Sequence, residues 1–351
     1  MIKVAAVTSG LNVPSSRFRV RQYLPYLADY HVIANEFCPW ISMYQGASVS
    51  WMPRFVTGTS LAVLKAVSRI PVLLRGRVYD ITWLQRELIP GYYSFEHMLK
   101  KPLIFDLDDA LWLNFNKRQS HFEKICRNAD LVICGNSYIE NKVSSYDVST
   151  VIIPTPVDTH HYLLNCDDGN SERELVVGWI GTSSNFSYLD TIKDILISSV
   201  RAHKNARFLL VSDREYLPLR ELGGKYEFVR WSADNEVHQL QRMDIGIMPL
   251  KNDQWSLGKC SYKILQYMAC GAAVVGSRVG MNSEVVQHGV SGYLVDTSAE
   301  WGEALHALLT NETVRRCFAL AGRATVERRY SVEANLPKLV AAFRLVLENN
   351  K

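Results

Sequence analysis

Short apolar runs alternate with helix-length segments along almost the whole chain, and this rhythm restricts the fold more than any single motif. In the first half, "KVAAVTS", "YHVIANEF", "DITWLQ", "PLIFDLDD" and "DLVICGN" read as strands. Helical stretches separate them, among them "RFRVRQYLPYLA" from about Arg17 and "HFEKICRNA". Runs that are apolar on both faces belong to strands covered on both sides, as in the parallel sheet of βαβ units. After the polar, acidic stretch 165–174, "NCDDGNSERE", the rhythm restarts with "LVVGWIG", "ARFLLVSD", "EFVRWS", "DIGIMPL" and "AAVVGS". That stretch is the best linker. The expectation is an α/β chain of two doubly wound halves, and 351 residues suit two cores better than one.

In such sheets ligands bind beyond the carboxyl ends of the strands, so the loops there carry the argument about chemistry. The segment "GKCSYKILQYMACG", 258–271, follows the strand "DIGIMPL". Read as one helix starting at Lys259, it places Lys259, Lys263 and Gln266 in a narrow arc opposite Ile264, Leu265 and Met268. The expectation is a cationic stripe at the sheet edge, where a helix N-terminus already favours an anion such as a pyrophosphate. Two loops converge there. "WIGTSSN" offers Gly181, Thr182 and Ser183 in a turn whose small residues let amides approach a ligand. "RVGMNSEVV" offers Met281, Asn282, Ser283 and Glu284, with Glu284 either steadying a helix start or meeting sugar hydroxyls.

In the first half, "FDLDDALW" puts Asp106, Asp108 and Asp109 at a strand's carboxyl end. Arg86 and Glu87 close the preceding strand; they either orient those acids or pair with each other. An acid cluster of this kind is also compatible with Mg²⁺.

Composition removes other classes. A formal net charge of +4 is too small for a nucleic-acid protein and suits local sites for anions or head groups. Seven scattered cysteines without a C-x-x-C pair argue for free thiols in a reducing, cytoplasmic setting. No apolar run reaches the ~20 residues of a membrane span. Residues 60–77 mix Leu, Val and Ile with Lys65, Arg69, Arg75 and Arg77; they read either as a core-packing helix broken near Pro71 or as a basic helix on an anionic membrane. The loop "TSGLNVPSSR" has no G-x-G-x-x-G, which disfavours a dehydrogenase.

The ordered stretch from Asp244 to Val295 resembles the donor-binding region of family 4 glycosyltransferases, the glycosyl transferases group 1. More loosely, "SSRFRVRQYLPYL", "LQREL", "FDLDDALW", "IPTPVD" and "GWIGTSSN" extend the likeness to the whole chain, in a branch associated with bacterial surface polysaccharides. The resemblance implies the GT-B fold, two Rossmann-like domains facing across a cleft. The expected boundaries are 1–165 for the acceptor domain, 174–325 for the donor domain, and 326–351 for a helix packing back toward the first. It implies a retaining, hexosyltransferase-type enzyme with a nucleotide-diphospho-sugar donor and a glycan or lipid-linked acceptor. No metal or other cofactor is expected, and a peripheral contact with the inner membrane face is compatible.

The family's Glu-x7-Glu signature falls on Gly258 and Gln266, so both acids are absent. The resemblance makes Gln266 a ribose contact, Arg17 a phosphate or acceptor contact, and Trp231 either a base-stacking or a packing residue. Relatives often carry a His where Asp108 stands, facing the reacting sugar; Asp108 and Asp109 read here as the catalytic-site acids that position the acceptor hydroxyl. The alternatives are a nucleotide-sugar 2-epimerase of the same architecture, or a nucleotide-sugar-binding protein without turnover.

Overall fold

The computed structural model of the chain describes residues 1–43, 59–164 and 173–350, without the side chains of 59–60 and 116–118. Residues 165–172, most of the expected linker, and Cys166 lie outside the described residues. The chain divides into two units: Met1–Pro156 with Gly258–Cys260 and Val332–Lys351, and Val157–Leu257 with Ser261–Ser331.

The first unit is built on a six-stranded parallel sheet: β1 (Ile2–Val7), β2 (Val32–Phe37), β3 (Ile81–Gln85), β4 (Leu103–Leu107), β5 (Leu131–Cys134) and β6 (Thr150–Ile152). Their order across the sheet is β2-β1-β3-β4-β5-β6, so the winding reverses between β1 and β3. β3, β4 and β5 are buried along their whole length, which is why they read as unbroken apolar runs. The helix Val332–Glu348 closes one face: Val332, Leu336, Leu339 and Phe343 join the core of β1, β3, β4 and β5, and the Phe343 ring lies 5.5 Å from that of Trp83.

The second unit repeats the plan with β7 (Leu175–Ile180), β8 (Ala206–Ser212), β9 (Tyr226–Arg230), β10 (Ile245–Met248), β11 (Ala273–Ser277) and β12 (Tyr293–Val295). The order β12-β11-β10-β7-β8-β9 is again all parallel and reverses between β7 and β10. Ligand sites of doubly wound sheets lie at such reversals, beyond the carboxyl ends. The strand β12, three residues after a Gly-rich turn, has no counterpart among the expected elements.

Two expected helices differ. The segment from Arg17 is not one α-helix: a wide turn, Arg17–Arg21, gives way at Leu24–Tyr30 to tight turns with Pro25 near their start. The segment 258–271 is helical only over Tyr262–Ala269, because Ser261 takes a left-handed backbone (φ 50°) that ends any continuity with Lys259.

Residues 61–77 form the helices Thr59–Val67 and Ile70–Arg75 with their polarity reversed. Arg69 is buried and donates to the carbonyls of Thr8 and Leu88, and Lys65 donates to that of Met43. Val63, Val67, Ile70, Leu74 and Val78 are the exposed side chains. The core-packing expectation, an apolar face buried with its basic residues in solvent, does not describe this segment. Among the described residues no helix is long and apolar enough to cross a membrane, and the six described cysteines are free thiols.

Candidate active site

At the reversal in the second sheet, β7 ends at Ile180 and the chain turns through Gly181. A Cβ on Gly181 would stand 2.7 Å from Cε of Lys263 and 2.7 Å from the Trp179 indole. Glycine here makes room for the lysine stem to cross the turn. The Lys263 ammonium lies 5.7 Å from the centroid of the Trp179 ring, a cation–π distance. The side chain is half-buried, so its charge is fixed at the sheet edge rather than spread through solvent.

The turn is held by Asp213 at the end of β8, which accepts from the Ser183 amide (2.6 Å) and hydroxyl (2.8 Å). Burial would raise the Asp213 carboxyl, but these bonds outweigh it and hold the group below its usual range. Thr182 and Ser184 share a hydroxyl bond of 2.8 Å beside them, at the exposed end of the turn.

The Tyr262–Ala269 helix is clamped onto this sheet. Tyr267 lies against Gly246 in β10, and its hydroxyl accepts from the Ile180 amide at 3.0 Å. At the helix start, the Ser261 hydroxyl donates to Asn282, whose amide donates to the Ser277 carbonyl at the end of β11. Asn282 is thus spent on structure and Met281 is buried, whereas Ser283 and Glu284 are exposed. Trp231 is exposed by 39% and donates its indole N–H to Glu236 at 2.6 Å.

Gln266 does not stand on a solvated stripe. It is 4% exposed and donates from Nε2 to Tyr162 Oη and Glu236 Oε1, each at 3.1 Å. Lys259 is not on the helix at all. Its segment, Gly258–Cys260, belongs to the first unit, where Asn136 donates to the carbonyls of Gly258 (3.0 Å) and Lys259 (3.2 Å), and the Cys260 thiol donates to that of Asp108 (2.8 Å). Burial, then the Asp108 charge, pushes that thiol up to about 12, so it remains an S–H donor. The arc of Lys259, Lys263 and Gln266 therefore does not exist: one lysine serves each sheet edge and the glutamine faces inward.

Gly258 has its own reason. A Cβ there would stand 2.5 Å from Cβ and 2.7 Å from the backbone nitrogen of Ala110. The family's first glutamate has no room at this position.

In the first unit the three acids part company. Asp106 points into the core, where Arg19 binds it at 2.6 Å with both groups 1% exposed and Trp83 Nε1 donates at 2.9 Å. Asp108 and Asp109 turn instead to Arg86, which grips Asp108 from Nε at 2.7 Å and Asp109 from Nη2. Arg86 holds a left-handed backbone, φ 59°, unusual for a side chain of this size and a form of strain found at working sites. Burial raises the Asp109 carboxyl; Arg86 opposes, Asp108 adds to the rise, and Lys259 opposes. Glu87 accepts from the Gly91 amide at 3.2 Å, a bond that shapes the following turn. Of the arginines after β1, Arg21 pairs with Glu36, Arg19 is in the core, and Arg17 lies half-buried over the Phe18 ring at 4.2 Å.

Glu236 was not among the expected site residues. Its only local signal, an acid in the first turn of the helix Glu236–Gln241, is shared by many helices.

Comparison with known proteins fits this geometry. Residues 174–311 match the family model described as glycosyl transferases group 1. N-acetyl-alpha-D-glucosaminyl L-malate synthase from Bacillus anthracis is 26% identical over 193 residues, 52% of this chain and 49% of that protein. The chain thus spans about half the length of that relative. D-inositol 3-phosphate glycosyltransferase from Corynebacterium jeikeium is 24% identical over 311 residues, 78% of this chain and 73% of that protein. Among solved structures, sucrose-phosphate synthase from Thermosynechococcus elongatus superposes with a TM-score of 0.73 at 15% identity, covering 99% of this chain and 100% of the other. Anabaena Alr3699/HepE in complex with UDP and glucose gives 0.70 at 17% identity, covering 98% and 100%. The two parallel six-stranded sheets thus have the GT-B fold, and residues 174–311 of the second unit are similar to the glycosyl transferases group 1.

Proposed function

We propose that the second unit binds a nucleoside-diphospho-sugar at the β7/β10 reversal, and that the chain transfers the sugar with retention to a hydroxyl acceptor held by the first unit. The observation that carries this reading is Lys263: a half-buried ammonium fixed over the Gly181 turn and beside Trp179. As the glycosidic bond to the leaving group breaks, negative charge builds on the departing phosphate. A pre-placed cation stabilises that charge without reorganising solvent. The anomeric carbon becomes oxocarbenium-like, and the acceptor hydroxyl attacks from the face that the leaving group vacates and passes its proton to the departing phosphate oxygen, so no enzyme nucleophile is needed. Trp231, exposed by 39% with its indole N–H held, suits stacking on the base. Thr182, Ser183, Ser283 and Glu284 line the same carboxyl edge.

Asp108 and Asp109, forked on Arg86, suit the acceptor: a carboxylate oxygen accepts a bond from the attacking hydroxyl, while the guanidinium fixes its direction. Lys259 acts on this acid pair rather than on the phosphates. Arg17 remains a candidate for phosphate or acceptor contact.

A glycan or lipid-linked acceptor in surface-polysaccharide synthesis, on the inner face of the cell membrane, is the favoured context. Its support is the exposed row Val63, Val67, Ile70, Leu74 and Val78 with exposed Arg75 and Arg77, a surface suited to anionic lipid. Flotation with vesicles of anionic against neutral lipid tests that part. A binder without turnover is the second reading, favoured by Gly258, whose contact with Ala110 excludes an acid. A panel of UDP-, GDP- and dTDP-sugars, read by melting shift and sugar release, separates the two. Stabilisation by one donor with release of its sugar supports the transferase. Stabilisation without turnover on any acceptor supports the binder.

A further inference from the structure

Gln266 stands where the signature glutamate of the family falls, and what surrounds it decides what an amide can do there. Its Nε2 donates to Tyr162 Oη and Glu236 Oε1, both at 3.1 Å. Tyr162 in turn donates to Glu236 Oε1, and Trp231 Nε1 donates to Glu236 Oε2 at 2.6 Å. A carboxylate only accepts, so the face of Gln266 turned to Glu236 has to be the NH₂ group. Both amide protons are then committed. Oε1 has no hydrogen-bond partner among the described residues, on a side chain 4% exposed.

We infer that Glu236 is a positioning residue that locks the Gln266 amide in one orientation, so that position 266 offers a ligand only a carbonyl oxygen. An acceptor-only oxygen suits a vicinal diol, here the ribose of the donor nucleotide. The amide thus does the accepting work of a glutamate, while the negative charge sits one residue further back, on Glu236. The same carboxylate holds Trp231, so one side chain sets both the expected base-stacking and ribose contacts. The ribose part rests on the donor reading above; the lock does not.

The test uses the full chain with Gln266→Glu, Glu236→Gln and the double exchange. Melting is followed without ligand at pH 6 and pH 8. Calorimetry follows UDP, GDP and their 2′-deoxy forms. Gln266→Glu puts two carboxylates in contact, so one is forced to keep a proton and its pKa rises. A carboxyl raised in the folded state costs stability as pH rises. The expected loss is therefore about 5 °C at pH 8 and less at pH 6. Glu236→Gln frees the amide to turn. It should weaken the preferred nucleotide about tenfold and erase the preference for ribose over 2′-deoxyribose. The double exchange restores both a donor–acceptor match and a single charge, and should recover melting and ribose preference together.

Gln266→Glu as stable as wild type at pH 8 overturns the lock. A wild type that binds nucleotide, with Glu236→Gln unchanged in affinity and ribose preference, overturns the positioning role alone. A wild type that binds no nucleotide, with the melting pattern as expected, overturns the donor reading and keeps the lock.

Discussion

Replacing Lys263 with methionine keeps the stem that fills the space over Gly181 and removes only the charge, which makes it the sharpest test of the phosphate site. The stem is needed: its Cε lies where a Cβ of Gly181 would be only 2.7 Å away, so a truncation would change the turn as well. Two unit charges 4 Å apart attract by about 4 kcal/mol at an effective dielectric of about 20. The half-buried ammonium gives up remaining water and part of its hold on Trp179, 5.7 Å away, to meet a phosphate. Those costs offset roughly half of the attraction, leaving about 2 kcal/mol, or about thirtyfold in the dissociation constant. Calorimetry should give that loss for a nucleoside diphosphate and a much smaller one for the nucleoside. The wild-type advantage should shrink as salt rises. Because the cation–π contact is worth about 0.5–1 kcal/mol, the melting midpoint should move by no more than about 4 °C. A diphosphate affinity within threefold of wild type at low salt would refute the placement of the phosphates.

Asp109→Asn tests the acid pair through pH. The native carboxyl is raised by burial, so its ionisation costs stability as pH climbs through the folded pKa. The melting point of the variant minus that of wild type should therefore become more positive from pH 5 to pH 8, and a flat difference would count against the burial of that charge. Gly258→Glu, which writes the family's acid back, should cost about 2 kcal/mol or more, because the side chain meets the Ala110 backbone; chemical denaturation measures it, and activity should not rise. Tyr267→Phe strips the buried Ile180 amide of its acceptor and should cost about 1–3 kcal/mol in the same assay. Arg19→Leu leaves Asp106 charged in the core and should cost about 3–5 kcal/mol; its pairing with Asp106→Leu should return much of that.

The sheets were legible because buried parallel strands write themselves as apolar runs: β4 and β5 carry no exposed residue. The three-residue strand β12 is too short to show any period. The site was legible as an edge and not as a set of contacts. Lys259 and Lys263 are spaced as helix neighbours, and nothing local says that Ser261 takes a left-handed turn between them. The Asn136 and Cys260 bonds that fix that segment join positions 122 and 152 residues apart. In the sequence Asp106 belongs to an acid cluster, and nothing near Arg19 marks it as its partner. Only a separation of 87 residues closed in space shows that they neutralise each other. Asp108, Asp109 and Arg86 were legible as neighbours because two adjacent strands end there, at β3 and β4.

The helix Val332–Glu348 has a consequence for how the chain comes into being. Phe343 seals the Trp83 face of the first sheet, and Leu336 and Leu339 fill the same core. A ribosome has to finish Val157–Ser331 before that seal exists. The second unit is thus the first to be complete, while the earlier-made sheet waits with an apolar face open to chaperones.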